Sequence, residues 1–246
     1  METQLANATF YVYQFYYFMT FENIEPKRIK SFVQRKGRVT PGQKFALENH
    51  AQRYCLDPQA EVNFTEIFGN NAPFIVEIGF GNGDSLAKTA AENPDKNYLG
   101  VEVHRPGVGH LLVLIEEMKL SNVRIYCHDA IEILEQRVPN ESLAGLHLFF
   151  PDPWHKKKHF KRRIVRDSFV ELLARKIEPN GYFHAATDWE NYAEWMLEIL
   201  NRAPNFENLS STQTVCERPD YRPLTKFEQR GIRLGHGVWD VMFKRV

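Results

Sequence analysis

FIVEIGFGNGDSLAKTAAEN, residues 74–93, joins three kinds of local signal in twenty positions. Residues 74–80 are a short apolar run with β-branched members, which reads as a strand. Gly79, Gly81 and Gly83 follow at alternate positions. SLAKTAAEN (85–93) is then a good helix former. Strand, glycine turn and helix in immediate succession are the opening of a βαβ unit, and the rest of the chain continues it.

Downstream, NYLGVEVH (97–104), VRIYCHD (123–129), GLHLFFPD (145–152) and GYFHAATD (181–188) read as four more strands. Helices are expected between them at 107–119, 130–137 and 164–177. Pro179-Asn180-Gly181 is expected to stop the last of these. Residues 189–203 carry Trp189, Ala193, Met196, Leu197 and Leu200 at the spacing of one helical face. A final pair near 205–210 and 237–245 should close the sheet. Regular alternation with nearly continuous apolar strands predicts an α/β fold, a mostly parallel seven-stranded sheet with helices on both faces. Domain boundaries are expected at 1–25 (an N-terminal extension), 26–60 (a basic segment and helix) and 61–246 (the main domain). Ligands on such sheets sit at the carboxyl ends of the strands. Four of those five ends carry an acid: Glu102, Asp129, Asp152 and Asp188. The fifth runs from Glu77 into the glycine loop.

The loop spacing is G-x-G-x-G, not the G-x-G-x-x-G of a dinucleotide site, and Asp84 stands where the third glycine would be. This spacing counts against a nicotinamide dehydrogenase. Glu77 precedes the loop and no Lys or Arg lies in it. A carboxylate is a poor neighbour for pyrophosphate and a good one for a cation, which favours S-adenosylmethionine, a donor with an ammonium, a sulfonium and no phosphate. Glu102 lies about twenty residues on, where an acid takes ribose hydroxyls. Asp129 is placed to accept from an adenine amino group. Taken singly, the loop also reads as a structural turn and each acid as a solvated strand end. In register, they outline one nucleoside-shaped groove.

Formal net charge is zero, but the charge is unevenly placed. Lys27, Arg28, Lys30, Arg35, Lys36, Arg38 and Lys44 form one block without an acid. Lys156, Lys157, Lys158, Lys161, Arg162, Arg163 and Arg166 form a second. Two basic arms on a more acidic body suit a polyanionic partner. A small-molecule methyltransferase would not need them. Cys55, Cys127 and Cys216 offer no disulfide framework or zinc spacing, so a reduced, cytoplasmic setting is expected. No apolar run is long enough for a membrane span. The aromatic stretch ATFYVYQFYYFMTF (8–21) lacks signal-peptide features. Met19 is expected to be the natural start, with 1–18 an upstream extension.

In HLFFPDPWHKKKHFKRR (147–163), Pro151 and Pro153 flank Asp152 and fix its backbone. A rigid carboxylate suits a preorganised site. Trp154 reads equally as a purine-stacking face or a core residue. The basic run then suits a phosphate-lined path to a base pocket. His155 and His159 have helical metal spacing, but with no third ligand no metal is expected.

EIGFGNG, GVEVH, HDA, FFPDPWHKKKHFKRRIV, TDWENYAEWM and RPLTKFEQRGIRLGH together resemble the bacterial tRNA (guanine-N7-)-methyltransferases. The resemblance runs from about residue 26 to the C-terminus, and its two longest motifs are its most specific. It implies a class I S-adenosylmethionine-dependent methyltransferase fold, Rossmann-like. It also implies transfer of a methyl group from S-adenosylmethionine to N7 of a variable-loop guanine in tRNA. Glu77, Gly79, Gly81, Gly83, Glu102, Asp129 and Asp152 match donor-binding positions, and Asp152 also matches the catalytic one. Lys156, Asp188, Thr225, Lys226, Phe227 and Glu228 match substrate contacts. Lys158, His159, Phe160, Lys161, Arg162 and Arg163 match the RNA-contacting stretch. The aromatic N-terminus departs from the family pattern. The expected partner is tRNA, with no membrane, and the chain a monomer or homodimer. A tRNA-binding protein without catalysis is the competing reading, and the intact acid set speaks against it.

Overall fold

A computed structural model describes residues 29–33, 37–225, 228–229 and 237–246. The expectations for residues 1–18, and for Lys226 and Phe227, lie outside these residues.

Seven strands form one sheet: β1 (Phe74–Ile78), β2 (Asn97–Val101), β3 (Val123–Tyr126), β4 (Leu143–Phe149), β5 (Ile177–Thr187), β6 (Phe206–Asn208) and β7 (Trp239–Arg245). Their order is β3-β2-β1-β4-β5-β7-β6. The first five are parallel; β7 lies antiparallel between β5 and β6. The order reverses between β1 and β4, which opens the crevice where such sheets take ligands.

The helices are α1 (Pro41–Asn49), α2 (Ala51–Tyr54), α3 (Phe64–Phe68), α4 (Asp84–Glu92), α5 (Arg105–Glu117), α6 (Ala130–Gln136), α7 (Asp167–Lys176) and α8 (Glu190–Asn201). α1 begins with a reciprocal cap. Thr40 Oγ1 accepts from the Gln43 amide, and Gln43 Oε1 accepts from the Thr40 amide, with Pro41 preset for the first turn. One sheet face buries Val76, Ile78, Leu99 and Leu146 against α6, α7 and α8. The other buries Ile75, Phe80, Tyr98 and Ile125 against α1, α4 and α5.

That second face is helical only over its first half. From β4 onward it carries His147, Tyr182, His184 and Asp240, and it is covered by the irregular chain holding Tyr221 and Arg222. Polar strand faces need polar cover, since buried hydrogen-bonding groups left without partners are costly.

Three features depart from the sequence expectation for a physical reason. α7 starts at Asp167, not residue 164, because Ile164 and Val165 enter the core as extended chain. Pro179-Asn180-Gly181 does not stop α7, which ends at Lys176. Those residues form a break in register inside β5, with Leu143 paired to Ile177 and Gly145 to Tyr182. Asn180 takes φ +70°, and a Cβ on Gly181 would lie 2.7 Å from Ile177 Cγ2. Trp189, expected on the apolar face of α8, is exposed; Tyr192, Ala193, Met196, Ile199 and Leu200 form that face instead.

Candidate active site

The glycine loop turns the chain from β1 into α4 through three left-handed residues, Gly79 (φ +73°), Gly81 (φ +61°) and Gly83 (φ +81°). Side chains are strained at such angles, so the sequence supplies glycine at each. Gly79 N–H extends the ladder to Val101 O at 2.7 Å. A residue outside the fingerprint completes the turn. A Cβ on Gly107, in the first turn of α5, would lie 2.0 Å from Gly81 O. The loop carbonyl therefore rests directly on that helix. The sequence signal was there in Pro106-Gly107, a glycine where a helix former would ordinarily stand.

Glu102 follows β2 and anchors both sides of the crevice. Its Oε2 accepts from Gly81 N–H at 2.9 Å, and its Oε1 from Val103 and His104 N–H at 2.6 and 2.9 Å. Three amides fix the carboxylate beneath the loop, and an oxygen that accepts one of them can still take a ligand hydroxyl. Asp129 caps α6, with Oδ1 accepting from Ile131 N–H at 3.0 Å. His128, which the sequence did not single out, pairs through Nε2 with Glu132 Oε2 at 2.8 Å.

Gly79, Glu102, Asp129 and Asp152 border one cavity of about 270 Å³, walled also by Phe32 and Phe150. Among the described residues, its walls hold three carboxylates and no Lys or Arg. Glu77 is not among them. It is buried in β1, paired in register with Gly100 on β2 and His147 on β4. Burial pushes its carboxyl up to about 8. Gly81 and Gly83 also lie outside the cavity wall and shape it from behind.

The Asp-Pro-Trp corner leaves β4 through two strained residues, Phe150 (φ +51°) and Trp154 (φ +48°). Phe150 N–H still bonds Ala186 O on β5 at 2.7 Å. Asp152 emerges exposed at the cavity mouth. Trp154 is taken up by the protein itself. Its Nε1–H donates to Ser31 O at 3.1 Å, and the Arg162 guanidinium lies 4.0 Å from its ring centroid. Arg162 also donates to Lys30 O and Phe32 O. Residues 30–32 are thus strapped across the cavity by Trp154 and Arg162.

The basic run divides by burial. Lys156, Lys157, Lys158 and Lys161 are exposed, while His159, Phe160 and Arg162 are half-buried. Arg163, expected as an RNA contact, is fully buried in the free protein: it donates to Pro153 O and Asn191 Oδ1 and stacks 3.7 Å from the Phe160 centroid. In this conformation it presents no donor at the surface. Asp188 stands half-buried just beyond β5, on the strand that neighbours β4, whose end leads to Asp152. Thr225 and Glu228 close on each other, Glu228 N–H donating to Thr225 Oγ1 at 3.1 Å. The Glu228 carboxylate points inward, both oxygens held by Arg222 at 2.7 and 2.8 Å. Among the described residues, no three His, Cys, Asp or Glu side chains converge as metal ligands.

A glycine turn, an acid after β2 and a carboxylate-lined crevice at the strand-order reversal define a class I methyltransferase. A family model described as "Putative methyltransferase" matches residues 71–241. The 16S rRNA methyltransferase KamB superposes with a TM-score of 0.55 at 14% identity, covering 76% of this chain and 95% of its own. TrmN from Thermus thermophilus gives 0.51 at 14% identity, over 71% of this chain and 44% of its own. These two show likeness of fold alone. The tRNA (guanine-N(7)-)-methyltransferase of Shewanella amazonensis is 58% identical over 222 residues, 89% of this chain and 93% of its own. That of Serratia proteamaculans is 56% identical over 220 residues, with 89% and 92% covered. The chain belongs to the tRNA (guanine-N(7)-)-methyltransferase family.

Proposed function

We propose that this protein methylates N7 of guanine in tRNA, with S-adenosylmethionine as donor. The observation that carries the reading is the cavity itself: among the described residues, three carboxylates and no Lys or Arg in the wall, with exposed lysines following Asp152 in the chain. Such a wall fits a cationic nucleoside without phosphate and repels a dinucleotide. Glu102 would hold the ribose, Asp129 the adenine, and the Gly79–Gly83 turn the amino-acid end, with the buried Glu77 behind that turn. When bound, the donor supplies an electrophilic methyl on sulfonium.

Guanine N7 presents an in-plane lone pair and carries no proton, so no general base is required. A bond forms from N7 to the methyl carbon, the carbon–sulfur bond breaks, and its electron pair stays on sulfur. Positive charge moves from sulfur to the guanine ring. Catalysis is then alignment plus electrostatics. Asp152, at the mouth, orients the acceptor and faces the developing charge. Lys156 donates to guanine O6, and Asp188 with the segment 225–228 shapes the acceptor pocket. Lys157, Lys158 and Lys161 supply phosphate contacts. Among the described residues no helix is long and apolar enough to cross a membrane. With an RNA substrate, we place the protein in the cytoplasm.

The test is incubation with methyl-labelled S-adenosylmethionine and unmodified tRNA, followed by nuclease digestion. Label in 7-methylguanosine supports the reading. Label elsewhere, or none, rejects it.

A further inference from the structure

We propose that Trp189 is the stacking platform for an unpaired purine of the acceptor RNA, a role the Asp-Pro-Trp motif suggests for Trp154 but the structure gives to another residue. This inference rests on the tRNA methyltransferase reading and deepens its acceptor site.

All four tryptophans are described, and their surroundings differ. Trp154 is covered by the Arg162 guanidinium and tied to Ser31. Trp195 donates to Val165 O at 2.8 Å and packs near Arg163 and Phe160. Trp239 is half-buried in β7. Trp189 alone is exposed, with 40% of its surface open. It opens α8 as the N-cap residue, yet its side chain makes no described cap hydrogen bond and joins no part of the buried stripe of that helix. A large indole left in solvent forfeits the burial that normally recruits it.

Its position gives the exposure a use. Trp189 directly follows Asp188 at the end of β5. The ring nearest it is that of His155, edge-on with centroids 4.1 Å apart. His155 lies three residues after Asp152, on the neighbouring strand end, where Phe149 pairs with Ala186. The Trp189–His155 pair therefore bridges the two loops that carry the acceptor-side carboxylates. His155 is followed directly in the chain by Lys156, Lys157 and Lys158, all exposed and none in a described salt bridge. Flat aromatic surface beside free positive charge is the recognition chemistry of unpaired nucleic-acid bases. A protein partner of ordinary composition would leave those lysines unmatched. A guanine unstacked for in-line attack needs a replacement partner, and a ring that follows Asp188 and touches His155, three residues after Asp152, can supply it.

The test compares Trp189→Phe, Trp189→Leu and Trp189→Ala in the full chain, with wild type in parallel. The readouts are tRNA affinity against salt, single-turnover formation of 7-methylguanosine, and S-adenosylmethionine affinity by calorimetry. Stacking is worth about 1–3 kcal/mol per base, so the Leu and Ala variants should lose roughly 5- to 100-fold in tRNA affinity or KM. The Phe variant should keep most of it. The salt slope and the donor affinity should stay at wild-type values, because no phosphate contact and no cavity wall is touched. Leu performing as well as Phe would reduce Trp189 to packing and overturn the proposal, as would equal losses in both or a loss of donor binding in all three. A wild-type protein that makes no 7-methylguanosine would sink the parent reading instead, so the two failures are distinguishable.

Discussion

Arg222 meets Asp240 through two hydrogen bonds, Nε to Oδ1 at 2.6 Å and Nη2 to Oδ2 at 2.9 Å, while Nη1 and Nη2 bind Glu228. One buried guanidinium therefore ties Glu228 to β7. It also lies over the Phe149 and Phe150 rings that lead to Asp152. The Asp240 carboxyl is raised by burial, but hydrogen bonds from His184 and Arg222 outweigh this and hold it below its ordinary range. His184 is lowered by burial against the pull of Asp240, and stays neutral. As a neutral ring it donates from Nε2 to Asp240 and accepts at Nδ1 from the Tyr221 hydroxyl.

Removing one partner leaves the others charged and buried. Arg222→Met should cost about 3–5 kcal/mol, read from the urea midpoint. Because the Asp240 carboxyl is depressed, its contribution is present above the unfolded value of 3.8 and lost as pH falls through the lower folded one. Asp240→Asn should flatten that acid limb. An unchanged midpoint in Arg222→Met would remove the clamp.

Glu77 has the opposite sign. Its folded value near 8 stands above the ordinary 4.5, so its own contribution to the stability of the free protein is fully present below 4.5 and is lost as pH rises through 8. Glu77→Gln should abolish this slope and stabilise the free protein above pH 8 by a few kcal/mol. A cationic donor needs the carboxylate, so donor affinity should rise with pH towards 8 in wild type and be weak and pH-independent in the variant. Calorimetry across pH 6–9 checks it.

Gly107→Ala should damage donor binding without touching a donor contact. The added methyl would sit 2.0 Å from Gly81 O, and backbone on one side with helix on the other leaves little room to yield. Overpacking of this kind costs about 1–3 kcal/mol. We expect donor affinity to fall at least about tenfold, with tRNA affinity retained.

Asp152→Ala should reduce the single-turnover rate by about 10²–10³-fold, the scale of losing one preorganised electrostatic group. tRNA should still bind. Near-normal turnover would reassign the carboxylate to scaffold.

The basic run should separate cleanly by mutagenesis. Each exposed lysine among 156–158 and 161 that contacts a phosphate should, as Ala, flatten the log affinity against log salt slope by about 0.7–0.9. Arg163→Met should leave the slope alone and lower thermal stability. A slope change in Arg163→Met would show that this buried side chain swings out to RNA.

The fold was legible because each strand announces itself as an apolar run and each acid stands where the run stops. Glu102, Asp129 and Asp152 could be placed around one crevice from spacing alone. Burial was less visible. Arg163 and Lys161 are two letters apart in the same basic run, yet one is sealed under Phe160 and the other exposed. The same limit applies to Trp154 and Trp189, since aromatic residues read alike until their neighbours are known. Glu77 looks like a strand-end ligand in sequence, but β1 ends one residue later and leaves it inside the sheet. Arg222 lay within RPLTKFE without a signal of its own, because its partner Asp240 is eighteen residues away.

β7 is the last strand in sequence but lies inside the sheet, between β5 and β6. A nascent chain leaving the ribosome can assemble β1 to β5 and the donor crevice early. It cannot seat β6, or close the Arg222–Asp240 clamp, until β7 has been made. Synthesis order thus places the crevice residues Gly79, Glu102, Asp129 and Asp152 in the emerging chain well before the Arg222–Asp240 clamp can close.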